Sequence, residues 1–242
     1  MPVDRDDGET PGGGPPSSVV SRWEPAPRDA RARQEALRSR IDLRLPAGFR
    51  PRLVAGADVS ASRGSAIVTG GFVVLDIDTL EEVDRSAVSM RATFPYVPGL
   101  LSFRELPVLE AAWARLGSRP DVIIFDGQGY AHPRRFGLAC HGGLTFDVPS
   151  LGCAKSLLIG SHRDLGAGRG SVSPLDHAGE TVGAALRTRD RVAPVYVSAG
   201  HRMDLSTAIE IVLRVTPRYR LPETTRRAHA LVNAARRDAE RQ

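Results

Sequence analysis

The sequence predicts an α/β fold, with helices flanking a mixed β-sheet in a single domain. Two observations carry this prediction. Three segments rich in Val, Ile, Phe and Thr precede an amphipathic helix, and a short apolar strand follows that helix. This β-β-β-α-β order combines an antiparallel meander with a crossover connection, which gives a mixed sheet. A chain of 242 residues fits within one large α/β domain.

The first elements follow from composition and periodicity. A charged segment from residue 27 to about residue 43 predicts an arginine-rich amphipathic helix on the surface. Short turns then separate three segments in which β-branched and aromatic residues are frequent. Strands are predicted at residues 52–60, 65–76 and about 81–94.

The next helix and strand lead to the most informative stretch. Ser102 and Glu105 have the spacing of a capping box, so a helix is expected from there to Gly117. The apolar run from Val122 to Phe125 predicts a buried strand, which places Asp126 at its carboxyl end. Ligands bind at that edge in open α/β sheets. An Asp-Gly turn is the alternative explanation of Asp126.

The second half of the chain predicts three more strands and two helices. The strands are expected at 151–159, 181–187 and 195–198, the last two paired as a hairpin. A helix at 204–215 follows a cap at Asp204 or Ser206. Pro222 starts the final helix.

The composition bounds the kind of protein. Residues 1–20 form a Gly/Pro-rich segment expected to be a disordered tail, which leaves 21–242 as the folded domain. No apolar run approaches the ~18 residues of a membrane span, and we expect a cytoplasmic protein. The net charge of +5 permits an anionic partner such as nucleic acid. Of the 33 basic side chains, Lys155 is the one lysine, which favours a functional role for its compact ammonium.

Three carboxylates are candidates for one site. Asp58 interrupts an apolar strand, where a charge is costly unless it is paired or binds a metal; an acid pointing outward on an edge strand is the alternative. Asp126 follows a strand expected to pair beside it. Glu105 is explained by the capping box alone unless its helix faces the two aspartates. Such a set would bind Mg²⁺ and favours metal-assisted phosphodiester hydrolysis.

Two cations and one aromatic residue extend this set. Lys155 could lie beside the cleaved phosphate, and His201 follows a strand and a glycine, so it is expected at the same sheet edge. The other histidines, among them His229, are interpreted as surface residues. Pro95 and Pro98 hold Tyr96 on a stiff loop, where it is either a wedge between stacked bases or a core plug.

Several stretches together resemble the endonuclease V family, which acts on deoxyinosine and has an RNase H-like fold. The resemblance covers about residues 30–230. It rests on the segments Val54–Ser60, Pro95–Glu105, Asp126–Gly137, Gly152–Lys155, Ser198–Arg202 and Arg220–Glu223.

The resemblance implies a catalytic centre and a cofactor. Asp58, Glu105 and Asp126 would be the metal ligands, completed by Lys155 and His201. The cofactor would be Mg²⁺, with Mn²⁺ able to substitute. Members of this DNA-repair family cut the second phosphodiester bond 3′ to a deaminated adenine and leave 3′-hydroxyl and 5′-phosphate ends.

The resemblance also implies a substrate-binding set. The Pro95–Pro98 loop would be the wedge, and the displaced base would enter a pocket near Gly127. His132 and Arg134 complete the residues expected to bind substrate.

Three positions depart from the family pattern. Gln128 stands where many members carry His or Asn, Ala199 where Pro is common, and Ser156 where a second lysine is frequent. They bear on metal preference and substrate range. An endoribonuclease that prefers inosine in RNA and a module that binds inosine without cutting remain the alternatives. We expect a monomer and no membrane partner.

Overall fold

Eight strands form one mixed sheet in the computed structural model, which describes residues 26–62 and 64–241. The strands are β1 Leu53–Ser60, β2 Ile67–Asp76, β3 Glu82–Arg91, β4 Val122–Phe125, β5 Ser150–Ala154, β6 Val172–His177, β7 Glu180–Leu186 and β8 Val195–Ala199. The helices are α1 Pro27–Arg38, α2 Leu101–Trp113, α3 Leu138–Phe146, α4 Leu205–Arg214 and α5 Glu223–Ala239. The predicted tail at 1–20 lies outside the described residues.

The order of the sheet is β3-β2-β1-β4-β5-β8-β7-β6. Its centre is parallel, since β1 pairs with β4 and β4 with β5 in the same direction. The outer pairs on both sides are antiparallel, including the predicted hairpin of β7 and β8. The mixed α/β sheet is therefore confirmed, and the carboxyl ends of β1, β4 and β5 meet at one edge.

Helices cover both faces of this sheet. Residues that alternate along a strand point to opposite faces. In β1, Val54 packs into a core with Ala228 of α5 and Val212 of α4, whereas Ala55 packs into a second core with Leu109 of α2. Even-numbered positions of β1 therefore face α5.

Gly56 lets α5 lie directly on β1. A Cβ at this position would stand 2.2 Å from the carbonyl carbon of Thr224, in the first turn of α5. Real Cβ atoms do not approach backbone that closely, so the helix can reach this position only above a glycine. The contact fixes which side chains of α5 reach the end of β1.

Gly56→Ala is expected to lower Tm by about 3–10 °C, because the added methyl overpacks the contact by about 1–3 kcal/mol. Thermal unfolding would measure the change. Gly168→Ala is the matched control, since a Cβ there meets nothing within 4 Å. Equal Tm values for the two variants would contradict the close contact of α5 with β1.

Several predicted elements need correction. The helix expected from 27 to about 43 ends at Arg38, and the strand expected at 151–159 ends at Ala154. Helix α3 and strand β6 were not predicted. Asp204 does cap α4, accepting a hydrogen bond from the Thr207 amide at 2.8 Å. Among the described residues, no helix is long and apolar enough to span a bilayer.

Candidate active site

Asp58 and Asp126 are brought together by the parallel pairing of β1 with β4. Ala57 is in register with Phe125, and the Asp126 amide donates to the Ala57 carbonyl at 3.1 Å. The next residue on each strand is an aspartate, and neighbouring strands are about 4.8 Å apart. Asp58 occupies an even position of β1 and so faces α5. The predicted convergence of these two acids is confirmed.

His229 is a third member of this group that the sequence analysis missed. Its Nδ1 lies 2.7 Å from the Asp58 carboxylate, and the Asn233 amide contacts its Nε2 at 3.0 Å. His229 is adjacent in α5 to the buried Ala228. The signal in the sequence was its position beside the apolar face of the final helix; the strand that this face covers is seen only in the structure.

The three side chains form a candidate metal centre. One ligand atom from each of Asp58, Asp126 and His229 lies within 4.8 Å of the other two. Burial, and then the negative charge of Asp126, raise the pKa of Asp58, while the hydrogen bond from His229 opposes this shift. Two neighbouring carboxylates, of which Asp58 is buried, form a site that a divalent cation would stabilise. The donor set therefore fits such an ion.

Glu105 approaches the aspartates from the other face of the sheet. It lies in the first turns of α2, the helix packed on the core opposite to α5. Burial, and then the charges of Asp58 and Asp126, raise its pKa to about 8. Glu105 lines the same pocket as Asp126 but does not belong to the group of three ligand atoms.

The predicted capping box at the start of α2 is wrong. The helix begins at Leu101, and no side chain caps it. The Ser102 hydroxyl is buried and lies 3.0 Å from His141 Nδ1. Capping of the helix therefore does not explain Glu105, and its carboxylate is available to the pocket.

Lys155 lies at the edge of the sheet that carries Asp126. It follows β5 at the same edge of the sheet, and its ammonium forms an ion pair with the Asp126 carboxylate. The side chain of Arg220 donates to the Lys155 carbonyl at 2.6 Å. This contact holds the backbone of Lys155 from the side of the loop between α4 and α5.

His201 lies at the opposite edge of the sheet, so the prediction that it shares the edge with Asp126 is wrong. Strand β8 is antiparallel to β5, with Ala199 paired to Leu151 near the start of β5. His201 is buried there, and its Nδ1 accepts from the Asp42 amide at 3.3 Å. At this position His201 packs the end of β8 against the segment around Asp42.

A pocket of about 420 Å³ opens beside the acids, a volume within the usual range of ligand sites. It is lined by parts of four segments, 96–105, 126–128, 132–138 and 154–158, together with Gln34. The pocket therefore connects the candidate metal centre to the Pro95–Pro98 loop.

Tyr96 is the most exposed large hydrophobic residue of the described chain, at 72%. Its loop is anchored on both sides. Arg104 donates to the Phe94 carbonyl at 2.6 Å, and Arg134 donates to the Gly99 carbonyl at 2.7 Å. A core plug would be buried, so the exposure excludes that alternative and leaves a rigidly mounted aromatic ring. Pro95 and Pro98 are also exposed, and Pro98 lines the pocket.

Arg134 supports this loop from behind, and its predicted contact with substrate stays a prediction. Its Nε donates to the side chain of Gln34, and Gln34 in turn donates to the carbonyls of Phe136 and Gly99 at 2.6 and 3.2 Å. Gln34 was not singled out in the sequence. It is 1% exposed and shares a helix face with buried Ala30, four residues earlier.

His132 lines the pocket and is nearly buried. Burial, and then the charge of Arg134, lower its pKa to about 4, so the imidazole is neutral at physiological pH. Gly127 also lines the pocket, and Gln128 beside it donates to the Ser156 carbonyl at 3.1 Å. The two departures at Gln128 and Ser156 therefore contact each other.

Comparison with known proteins identifies the family. A sequence profile of endonuclease V matches residues 35–230. The endonuclease V of Myxococcus xanthus is 61% identical over 218 residues, which cover 90% of this chain and 93% of that relative.

Solved structures agree with this result. The endonuclease V of Streptomyces avermitilis superposes with a TM-score of 0.86 at 45% identity, over 90% of this chain and 96% of that one. Another similar structure is endonuclease V of Ciona intestinalis with a 24mer DNA containing an inosine followed by a ribo-adenosine. Its TM-score is 0.71 at 27% identity, over 86% of this chain and 97% of that one. The chain therefore belongs to the endonuclease V family of hydrolytic endonucleases, which has the RNase H-like fold.

Proposed function

We propose that this endonuclease nicks DNA at the second phosphodiester bond 3′ to a deoxyinosine, leaving 3′-hydroxyl and 5′-phosphate ends, as an enzyme of DNA repair. The observation that carries the proposal is the group of Asp58, Asp126 and His229 beside a pocket that an exposed tyrosine borders. The Ciona intestinalis relative in complex with inosine-containing DNA supports the substrate. The position of the cut follows from the family resemblance.

Asp58, Asp126 and His229 would hold Mg²⁺, with Glu105 facing it from α2 and Mn²⁺ able to replace it. When bound, the divalent ion supplies charge neutralisation at the phosphate and lowers the pKa of bound water. The two aspartates support this assignment, because burial and the charge of Asp126 make ionisation of Asp58 less favourable in the absence of a cation.

The protein's own residues would then orient the cleaved bond. The Lys155 ammonium has three rotatable donors, and its ion pair with Asp126 keeps it within reach of a phosphate at the acids. The carbonyl contact from Arg220 fixes the backbone from which this side chain extends. Lys155 would donate hydrogen bonds to the phosphate and stabilise the charge that develops on it.

Tyr96 would fill the gap that the extruded base leaves, and the pocket would hold that base. Flipping a base out of a duplex costs a few kcal/mol, and an aromatic ring that fills the gap offsets part of that cost. Neutral His132, whose Nδ1 accepts from the Arg134 amide at 3.2 Å, would form part of the wall around hypoxanthine. Backbone at Gly127 would form part of the pocket wall.

We also propose a cytoplasmic monomer. Cys140 and Cys153 are buried and unpaired, which suits a reducing compartment. Sedimentation of the purified protein would give the oligomeric state.

The direct test uses labelled duplexes with and without one deoxyinosine, and a matched inosine RNA, each with Mg²⁺ or chelator. A chelator-sensitive nick one nucleotide beyond the lesion on its 3′ side is the expected result. Cleavage confined to RNA would replace DNA by RNA as the substrate. Retention of the inosine strand without any cut would overturn the proposed reaction and favour a binding module.

Gln34→Leu is expected to lower kcat/KM on duplex DNA about tenfold. The variant removes the hydrogen bonds that buried Gln34 makes to the Gly99 carbonyl and to Arg134, which hold the Pro95–Pro98 loop. A single-stranded substrate needs no base pair opened, so its kcat/KM should change far less. Ser39→Ala, just past the end of α1, is the control. An equal loss on both substrates would mean that Gln34 acts on general stability instead of the loop.

A further inference from the structure

A cluster of arginines surrounds an exposed tyrosine beside the candidate active site. The guanidinium carbons of Arg226 and Arg218 lie 4.7 and 5.4 Å from the ring centroid of Tyr219. Tyr219 is 41% exposed. We call Arg218, Tyr219, Arg226 and Arg227 the Tyr219 cluster. Arginine packed on an aromatic ring keeps its orientation while its N–H groups stay available to an acceptor.

The cluster carries more positive charge than its internal contacts neutralise. Glu223 pairs with both Arg226 and Arg227, at 2.5 and 3.1 Å. No ion pair connects Arg218 to any other residue in the described part of the chain. Three guanidiniums thus share one carboxylate, and the side chains of Arg226 and Arg227 are 41% and 32% exposed. Stabilising the first turns of α5 explains the pairs with Glu223 but not the excess charge.

Residues of the candidate active site border the cluster on two sides. Arg226 precedes His229 by three positions in α5, a spacing that puts both side chains on one face about 5–6 Å apart at Cβ. On the other side, Arg220 follows Tyr219 in the chain and donates to the Lys155 carbonyl. The cluster therefore adjoins the place where the cleaved phosphate would lie.

We propose that the Tyr219 cluster binds the phosphodiester backbone of the substrate strand beside the cleaved bond. The proposal rests on the proposed function and adds a second anionic contact to it. Guanidinium pairs phosphate oxygens through two parallel N–H groups, and Tyr219 holds two guanidiniums on one ring. Phosphate is the ligand that matches this chemistry. The contact would be independent of base sequence.

The test measures binding of the inosine duplex as a function of salt, with Ca²⁺ replacing Mg²⁺, for the wild type and four variants. Arg218→Ala should weaken binding about threefold to tenfold and reduce the slope of log K against log salt by about one. Tyr219→Ala should weaken binding at least as much, and Tyr219→Phe should restore it. Arg119→Ala is the matched control, because Arg119 packs over Trp113 at 4.7 Å before the start of β4, at the opposite edge of the sheet.

Neutral methylphosphonate linkages then locate the contact. A single substitution near the cut should slow the wild type at subsaturating substrate and leave Arg218→Ala unaffected by the same linkage. If the wild type cleaves inosine DNA while Arg218→Ala matches Arg119→Ala in affinity and slope, the cluster proposal fails and the proposed function stands. If the wild type binds the strand with the expected slopes but never cuts, the proposed function fails and the cluster stands.

Discussion

Asp126→Asn is expected to lower the rate of metal-dependent nicking about a thousandfold or more, while the protein remains folded. Asparagine keeps the shape of the side chain but removes the negative charge that Asp126 contributes to the candidate metal centre with Asp58 and His229. The charge that a divalent ion needs would be halved at this pair of aspartates. Single-turnover cleavage of a deoxyinosine duplex at saturating enzyme measures the chemical step apart from binding.

The same variant should keep its stability in chelator. The Asp126 carboxylate raises the pKa of Asp58, so removing its charge relieves repulsion within the folded protein and offsets the loss of the ion pair with Lys155. Asp164→Asn, an exposed acid in the loop before β6, provides the comparison and should cut at the wild-type rate. Normal nicking by Asp126→Asn would remove this residue from the reaction and with it the proposed centre.

The sequence predicts this part of the site because its causes are local. An apolar run followed by an acid and glycines defines the end of a buried strand, and β4 ends at Phe125 as expected. An acid in a second buried strand then needs a partner. Parallel pairing of β1 with β4 puts Asp58 beside Asp126. The end of β4 and the need for a partner at Asp58 are therefore predictable from short segments of sequence and one strand pairing.

His201 and His229 occupy positions that the local sequence pattern does not determine. Which edge a residue occupies depends on the direction of its strand, and the sequence around His201 is the same for a parallel or an antiparallel β8. The antiparallel pairing with β5 removes His201 from the acids. His229 reaches them because α5 settles on Gly56, a tertiary contact that the periodicity of α5 does not encode.

Helix α3 was missed for a related reason. It contains Gly142 and Gly143, which lower helix propensity. A Cβ on Gly142 would meet the Phe125 ring at 2.3 Å, so the glycine permits close packing of α3 on β4. Tertiary contact overrides the local preference here. The polar face of α1 is a similar case, since Gln34 is buried by the tyrosine loop and by the segment around Phe136.

Glu105→Gln is expected to abolish most nicking and yet to raise the Tm of the metal-free protein at pH 8. The pKa of Glu105 is about 8 in the folded protein, against 4.5 for an ordinary glutamate. Between these values the unfolded chain has released the proton that the folded protein still holds. Stability therefore falls as pH rises from about 4.5 to about 8 and then levels off. Glutamine does not titrate, so Glu105→Gln should not show this loss of stability over this pH range.

The increase in Tm should be about 2–8 °C at pH 8 and close to zero at pH 4, after allowance for solvent at the pocket mouth. Thermal unfolding in chelator across this pH range measures it. Glu210→Gln, an exposed acid on α4, is the control. Added Mg²⁺ should stabilise the wild type more than Glu105→Gln, because the carboxylate that repels Asp58 and Asp126 in the free protein would face the cation. A Tm that does not rise in Glu105→Gln, together with an unchanged response to Mg²⁺, would separate Glu105 from the metal centre and leave Asp58, Asp126 and His229 to hold it.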